Sequence, residues 1–225
     1  MARGLLIVFE GAEGAGKTTQ TRRLSAKLAS LGFSCTVLRE PGGTVPGERI
    51  RNLLLDPSHE LTAATEALLF MAARAELVAL EIRPALERGE MVLLDRFFLS
   101  TYAYQVGGRG LDETEVRGAN QLAVQGLVPD LTFVFDLSSE EGMARADARG
   151  ERDRMERAGD DFHHRVAAAF QHFLTPGWQG AHPECGPIVR LDASGTEDVV
   201  FDRLMTQLAA ARPETFGALT ESKIV

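Results

Sequence analysis

The sequence contains few cysteines and no long apolar run. Its 225 residues include 2 cysteines, Cys35 and Cys185, without metal-ligand spacing, so we expect neither a disulfide framework nor a cysteine-rich zinc site. No apolar stretch reaches membrane-spanning length, so we expect no membrane association. Because the first predicted strand starts at Leu5, we also expect no signal peptide and a cytoplasmic location.

Lysine is scarce as well, and the net charge is negative. The formal net charge of −8 argues against a general nucleic-acid-binding protein. The lysines are Lys17, Lys27 and Lys223, so a guanidinium carries nearly every other positive charge. Arginine suits bidentate contacts with phosphate, but this bias alone says nothing decisive about function. With 44% hydrophobic residues, the chain can bury a core.

The strongest motif is GAEGAGKT at residues 11–18, which fits the Walker A pattern G-x-x-x-x-G-K-[ST]. An apolar run at residues 5–9 predicts a buried strand before it, and residues 17–31 predict a helix after it. In such a loop the backbone N–H groups bind phosphates, Lys17 reaches the outer phosphates, and the Thr18 hydroxyl ligates Mg²⁺. The residues expected to bind the triphosphate are Gly11, Ala12, Glu13, Gly14, Ala15, Gly16, Lys17, Thr18 and Thr19.

Strands and helices alternate along the chain. Further strands are predicted at residues 34–39, 91–94, 131–135 and 188–191, and a long helical region at 62–88 is interrupted near Pro84. This alternation predicts an α/β fold, a five-stranded parallel sheet with helices on both faces. We expect one domain over residues 1–212, followed by a mobile tail at residues 213–225.

Two charged residues follow the third predicted strand. Asp95 stands where the carboxylate partner of a P-loop metal site is expected, although aspartate is also a good helix N-cap. Arg96 can hold a second phosphate, or it can form a structural salt bridge. Because ligands bind at the carboxyl edge of open parallel sheets, we favour the functional interpretation of both residues.

Two other segments leave the choice open. Phe70 and Arg74 share one helix face and could stack on a base and hydrogen-bond its edge, but from the residues alone core packing of Phe70 is favoured. Residues 145–160 alternate in charge, which is typical of a solvated helix face. The same segment could be a lid, hinged at Gly150, whose Arg149 and Arg152 close over the transferred phosphoryl group.

Five motifs, in order, resemble those of bacterial thymidylate kinases, within the nucleoside monophosphate kinases. They are FEGAEGAGKTTQ at 9–20, REPGGT at 39–44, LDR at 94–96 with Ser100 and AYQ at 103–105, PDL at 129–131, and RGE at 149–151 continuing to Glu156. The resemblance spans residues 5–208. It implies a P-loop nucleoside monophosphate kinase fold, ATP-dependent phosphorylation of dTMP to dTDP with Mg²⁺, a homodimer, and a cis peptide bond at Pro41.

The resemblance also implies roles for individual residues. Phe70 would stack on thymine and Arg74 would contact its edge, while Arg96 would bind the acceptor phosphate. The remaining substrate-binding residues that it implies are Glu13, facing the sugar or acceptor phosphate, Arg51, beside Arg96, and Thr101, Tyr104 and Gln105, lining the deoxynucleoside pocket.

The catalytic guanidinium is expected from the lid. Some members of the family carry an arginine in the P-loop, where this chain has Gly14, so Arg149 and Arg154 are the first choices. Phe97 replaces a tyrosine or histidine that often follows the Asp-Arg pair, so one polar contact is missing. The expected catalytic residues are Lys17, Asp95, Arg96, Arg149 and Arg154, and the expected metal ligands are Thr18 and Asp95.

Three alternatives stay open. The acceptor could be another nucleoside monophosphate or a deoxynucleoside, and the latter would need a carboxylate base for its hydroxyl. The chain could also be a nucleotide-dependent switch, but the Asn-Lys-x-Asp motif of guanine switches is absent. We expect ATP, dTMP and a second copy of the chain as partners, with no nucleic acid and no membrane, and an adenine pocket near Asp192 and Ala193.

Overall fold

The fold is built on one parallel sheet. In the computed structural model, which describes residues 3–147, 150 and 153–217, the strands follow the order β2-β3-β1-β4-β5 and every neighbouring pair is parallel. This confirms the predicted five-stranded sheet. The strands are β1 (Leu6–Glu10), β2 (Cys35–Arg39), β3 (Met91–Asp95), β4 (Leu131–Asp136) and β5 (Ile188–Asp192).

Helices cover both faces of the sheet, as predicted. Side chains alternate between the faces of a strand, so Leu6 and Val8 enter one core while Ile7 and Phe9 enter the other. The helices are α1 (Lys17–Ser30), α2 (Val45–Leu55), α3 (Ala63–Leu77), α4 (Arg83–Glu87), α5 (Phe98–Thr101), α6 (Glu113–Val124), α7 (Ser139–Asp147), α8 (Asp160–Phe173), α9 (Pro176–Ala181), α10 (Glu197–Ala211) and α11 (Pro213–Phe216). None of the described helices is long and apolar enough to cross a membrane.

Two π-helical segments were not predicted. The first, Val78–Ile82, joins α3 to α4, so the expected break falls before Pro84, which lies in the first turn of α4 where its missing N–H is tolerated. The second, Tyr102–Gly108, continues α5. Segments of this kind are frequent at functional sites, and an apolar pattern alone does not separate them from α-helix.

Part of the expected tail is folded. Residues 213–216 form α11, and Phe216 is buried beside Phe33 at a ring-centroid distance of 6.1 Å. Four residues are too few to show a helical periodicity in the sequence, so this helix was not predicted. Residues 218–225 lie outside the described part of the chain.

Candidate active site

A crevice opens where β1 and β3 end side by side. The chain leaves β1 into α1 on one face of the sheet and leaves β3 into α5 on the other, which is the arrangement that places ligands at this edge. The crevice forms a cavity of about 630 Å³. The predicted residues that line it are Glu13, Gly14, Ala15, Gly16, Lys17, Thr18, Thr19, Arg51, Phe70, Arg74, Asp95, Arg96, Thr101, Tyr104 and Gln105.

Two glycines of the P-loop approach other backbone segments closely. A Cβ on Gly11, whose φ is 140°, would lie 2.7 Å from the carbonyl oxygen of Phe135. A Cβ on Gly14, whose φ is 71°, would lie 1.9 Å from the carbonyl oxygen of Gly142 in α7. Both positions therefore require glycine for conformation and for space, and the P-loop is packed against β4 and α7.

Lys17 is folded back onto the loop. Its Nζ donates to the carbonyl oxygens of Gly11, at 2.9 Å, and Ala12, at 2.8 Å. Burial, together with the positive charge of Arg96, lowers the pKa of Lys17 to about 8. The amine of Lys17 therefore loses its proton at a lower pH than an ordinary lysine does.

The Thr18 hydroxyl donates to Asp95 Oδ2 at 2.6 Å. Asp95 therefore faces the P-loop, and the N-cap alternative is wrong, because α5 begins without a side-chain cap from Asp95. Hydroxyl and carboxylate oxygens are donors that suit Mg²⁺. Among the described residues no group of three or more His, Cys, Asp or Glu is arranged to hold a metal ion, so a cation here would complete its shell with water and phosphate oxygens.

Arg96 connects the P-loop with α5. Its Nη2 donates to Glu13 Oε1 at 3.0 Å and its Nη1 donates to the carbonyl oxygen of Gly11 at 3.2 Å. The hydroxyl of Tyr104 donates to the second oxygen of Glu13. Burial would raise the pKa of Glu13, but the charges of Arg96 and Lys17 lower it below its ordinary value. The salt-bridge alternative for Arg96 is thus observed, in a pair that also lines the cavity.

Phe70 and Arg74 line the cavity from α3. Phe70 is half-buried, packing against the core while part of it lines the cavity. Arg74 is buried and every guanidinium N–H has a protein acceptor: its Nε binds Glu40, its Nη1 binds Thr101 and Asn120, and its Nη2 binds Glu40 and the Phe97 carbonyl. Arg74 lines the cavity, but the described bonds commit its donors to the protein.

The turn after β2 carries the expected cis peptide bond between Glu40 and Pro41. The carbonyl oxygen of Pro41 accepts from Arg51 Nη1 at 2.8 Å, which fixes Arg51 at the cavity wall. Arg51, in α2, and Arg96, in the turn between β3 and α5, therefore line the same cavity.

Arg154 does not line the cavity, contrary to its predicted catalytic position. Its Nη1 lies 2.7 Å from Glu66 Oε2 and its Nε donates to the carbonyl oxygen of Leu54 at 2.7 Å. These contacts with the buried carboxylate of Glu66 and with Leu54 tie this part of the predicted lid segment to α3 and α2. Arg149, the other expected lid arginine, lies outside the described residues.

Several cavity residues were not assigned a role from the sequence. Arg145 is the first arginine of the predicted lid segment, and its Nη1 donates to the carbonyl oxygen of Ala193 at 3.3 Å, at the expected adenine end. Its position at the start of the charged segment was the available signal. Other unassigned lining residues include Arg39, Glu40, Leu55, Ser100, Asp153, Met155, Glu156, Gly195, Thr196 and Val200.

The sheet order, the P-loop after β1 and the Asp-Arg pair after the adjacent β3 define a P-loop kinase of the nucleoside monophosphate type. The thymidylate kinase family model matches residues 9–179. The chain belongs to the thymidylate kinase family.

Similar proteins agree with this assignment. The chain is 46% identical to a thymidylate kinase of Deinococcus radiodurans over 88% of its own length and 93% of the relative. It is 53% identical to a thymidylate kinase of Pseudomonas putida over 74% of its length and 80% of the relative. The crystal structure of thymidylate kinase from Ehrlichia chaffeensis superposes with a TM-score of 0.70 at 29% identity, covering 92% of this chain and 98% of that one.

Proposed function

We propose that this chain transfers the γ-phosphoryl group of ATP to the phosphate of dTMP, giving dTDP and ADP. The supporting observation is that Lys17 and Thr18 of the P-loop line the same cavity as Arg96 and Phe70. A triphosphate held by the loop and a monophosphate held by Arg96 would meet between them. Membership of the thymidylate kinase family supports the choice of acceptor.

In this proposal the thymine base of the acceptor stacks on Phe70 and forms hydrogen bonds with Thr101 and Gln105. Thr101 Oγ1 accepts from Arg74 at 2.7 Å, so its own hydrogen can be donated to a thymine carbonyl. Gln105 Nε2 donates to Glu66 at 3.1 Å, which leaves its amide oxygen as an acceptor for the thymine N3–H. In this scheme Arg74 acts on the thymine edge mainly by orienting Thr101.

The chemical problem is the repulsion between two anions rather than the removal of a proton. The acceptor monophosphate is already ionised near neutral pH, so no strong general base is needed. Arg96 and Arg51 hold the acceptor oxygen in line, and Lys17 exchanges the carbonyls of the loop for the outer phosphates of ATP. Arg149 remains the predicted lid guanidinium. Thr18 and Asp95 would hold Mg²⁺, which neutralises charge on the phosphate oxygens of bound ATP.

Coupled ADP release measured across dTMP, dUMP, dCMP, dAMP, dGMP and thymidine tests this proposal. We expect the highest kcat/KM with dTMP and no turnover with thymidine, since a nucleoside hydroxyl lacks the ionised oxygen that Arg96 and Arg51 bind. Lys17→Ala should abolish turnover, whereas Lys27→Ala, in the last turn of α1, should not. Turnover of thymidine without turnover of dTMP would overturn the proposal.

We also infer a homodimer and a cytoplasmic location. Helices α3 and α6 pack against each other, and each exposes a large apolar side chain, with Leu68 63% and Leu122 80% exposed. Exposed leucines on adjacent helices support burial against a second copy.

Sedimentation should give the mass of a dimer for the wild type and a monomer for Leu122→Glu. The control Leu31→Glu changes an exposed leucine that follows α1. A wild-type monomer contradicts the first inference, and recovery in a membrane or secreted fraction contradicts the second.

A further inference from the structure

Glu10, the last residue of β1, is fully buried and bound to the start of α5. Its Oε1 accepts from the backbone N–H groups of Phe97, at 2.8 Å, and Ser100, at 3.1 Å. Its Oε2 accepts from the Ser100 hydroxyl at 2.6 Å. Burying a carboxylate is costly unless hydrogen bonds compensate, and these three bonds supply that compensation.

The hydroxyl of Ser100 connects Glu10 to Arg96 by hydrogen bonds. A serine hydroxyl has one hydrogen, and here it is donated to Glu10. The oxygen is therefore free to act as an acceptor, and Arg96 Nη1 donates to it at 3.1 Å. The direction of every hydrogen bond from Arg96 through Ser100 to Glu10 is thus determined by chemistry.

The backbone at Arg96 is also held by the end of β1. Its φ is 72°, in the left-handed region that a residue with a Cβ disfavours. The Arg96 N–H is held by the carbonyl oxygen of Phe9 at 2.9 Å, and the next N–H, of Phe97, is held by Glu10. The end of β1 therefore stabilises the turn that aims the Arg96 side chain into the cavity.

We propose that Glu10 and Ser100 are positioning residues for Arg96, with Glu10 acting through Ser100. The inference rests on the proposed role of Arg96 as a ligand of the acceptor phosphate. Glu10 is not among the residues that line the cavity, so its effect on the reaction must pass through other groups. Its position directly before Gly11 also links the donor loop and the acceptor arginine through one buried carboxylate.

Ser100→Ala is the sharpest test, because it removes the link to Arg96 and keeps both backbone bonds of Glu10. We expect kcat/KM for dTMP to fall about tenfold, with KM for ATP changed less than about twofold. Ser100→Thr, which keeps the hydroxyl, should recover most of the loss. A purely structural defect would instead reduce the active fraction, lowering kcat without changing either KM.

Glu10→Gln is a second, independent variant. Its amide oxygen can still accept from the backbone N–H groups of Phe97 and Ser100, but its NH₂ cannot accept the Ser100 hydroxyl hydrogen, so the hydroxyl loses the partner that orients it as an acceptor for Arg96. We expect the loss for dTMP to equal or exceed that of Ser100→Ala. Thr132→Val is the matched control, since it removes a buried hydroxyl bond to the Cys185 carbonyl away from the cavity. It should leave both KM values unchanged.

The double variant Ser100→Ala/Arg96→Ala separates the two levels of the argument. If Ser100 acts through Arg96, its substitution should have no further effect in the Arg96→Ala background. A full tenfold loss in that background would overturn the positioning role while leaving the proposed function intact. Unchanged dTMP kinetics in Arg96→Ala alone would overturn the proposed role of Arg96 and the inference with it.

Discussion

The structure holds two carboxylate–arginine clusters of similar composition. In the cavity cluster, Glu13 pairs with Arg96, and their side chains are 18% and 21% exposed. In the anchor cluster, Glu66 is completely buried and binds Arg109 at 2.9 Å and Arg154 at 2.7 Å. The first cluster faces the space where phosphates are proposed to meet, and the second ties the lid segment to α3.

The two clusters differ in position rather than in residue type, because Arg96 lines the cavity whereas Arg109 and Arg154 do not. Arg154 is only 11% exposed, and it also donates to the carbonyl oxygen of Leu54, so its position is determined by protein acceptors. Arg96 has protein acceptors too, but it lines the cavity and sits on a strained backbone. Strain of this kind is concentrated at functional sites.

The largest expected effect is on the anchor cluster. Glu66→Ala leaves Arg109 and Arg154 partly buried without their counter-charge, so we expect a loss of about 3–5 kcal/mol in the free energy of unfolding. Glu13→Ala should cost about 1 kcal/mol, because the cavity admits water to Arg96. Urea denaturation measures the free energy of unfolding of both variants. Equal losses in Glu66→Ala and Glu13→Ala would contradict the view that the anchor cluster contributes more to stability than the cavity cluster.

The next effect concerns catalysis at Arg96. Arg96→Ala should lower kcat/KM for dTMP by about 10²–10³-fold, the loss typical of a removed charge clamp. Arg96→Gly should be equally inactive but more stable than Arg96→Ala by about 1 kcal/mol, because glycine tolerates the φ of 72°. Steady-state kinetics and denaturation together measure the two contributions. Near-wild-type turnover in either variant would remove Arg96 from the reaction.

The smallest effect is a pH dependence. The pKa of Lys17 is lowered from 10.5 to about 8, chiefly by burial and then by Arg96, so the amine of the free enzyme becomes neutral above that pH. A neutral amine binds phosphate poorly, and kcat/KM for ATP should therefore fall as pH rises through about 8. In Arg96→Ala the fall should move to higher pH, because one positive neighbour is gone. A profile that stays flat to about pH 10 would contradict the lowered pKa.

The parts of the fold that were predicted correctly depend on local patterns. The apolar strands and the Walker A motif are contiguous, so the sheet and the phosphate loop were recognisable before any contact was known. The position of Phe70 at the cavity could be predicted only from the resemblance to the family, because its apolar neighbours in α3 favour core packing. The contact of Arg154 with Glu66 was not predicted, because the two residues lie far apart in the chain. The π-helical segment carrying Tyr104 leaves no distinct pattern in the sequence.

The sequence by itself determined the class of fold, the phosphate loop and the family, because each depends on patterns within short runs of adjacent residues. Only the tertiary structure decided which arginines face the cavity, because the carboxylates and carbonyl oxygens that hold each guanidinium come from distant parts of the chain. Glu10 illustrates this division. Its place before Gly11 can be read directly, but its hold on Ser100 and Arg96 exists only once β1 and α5 are brought together.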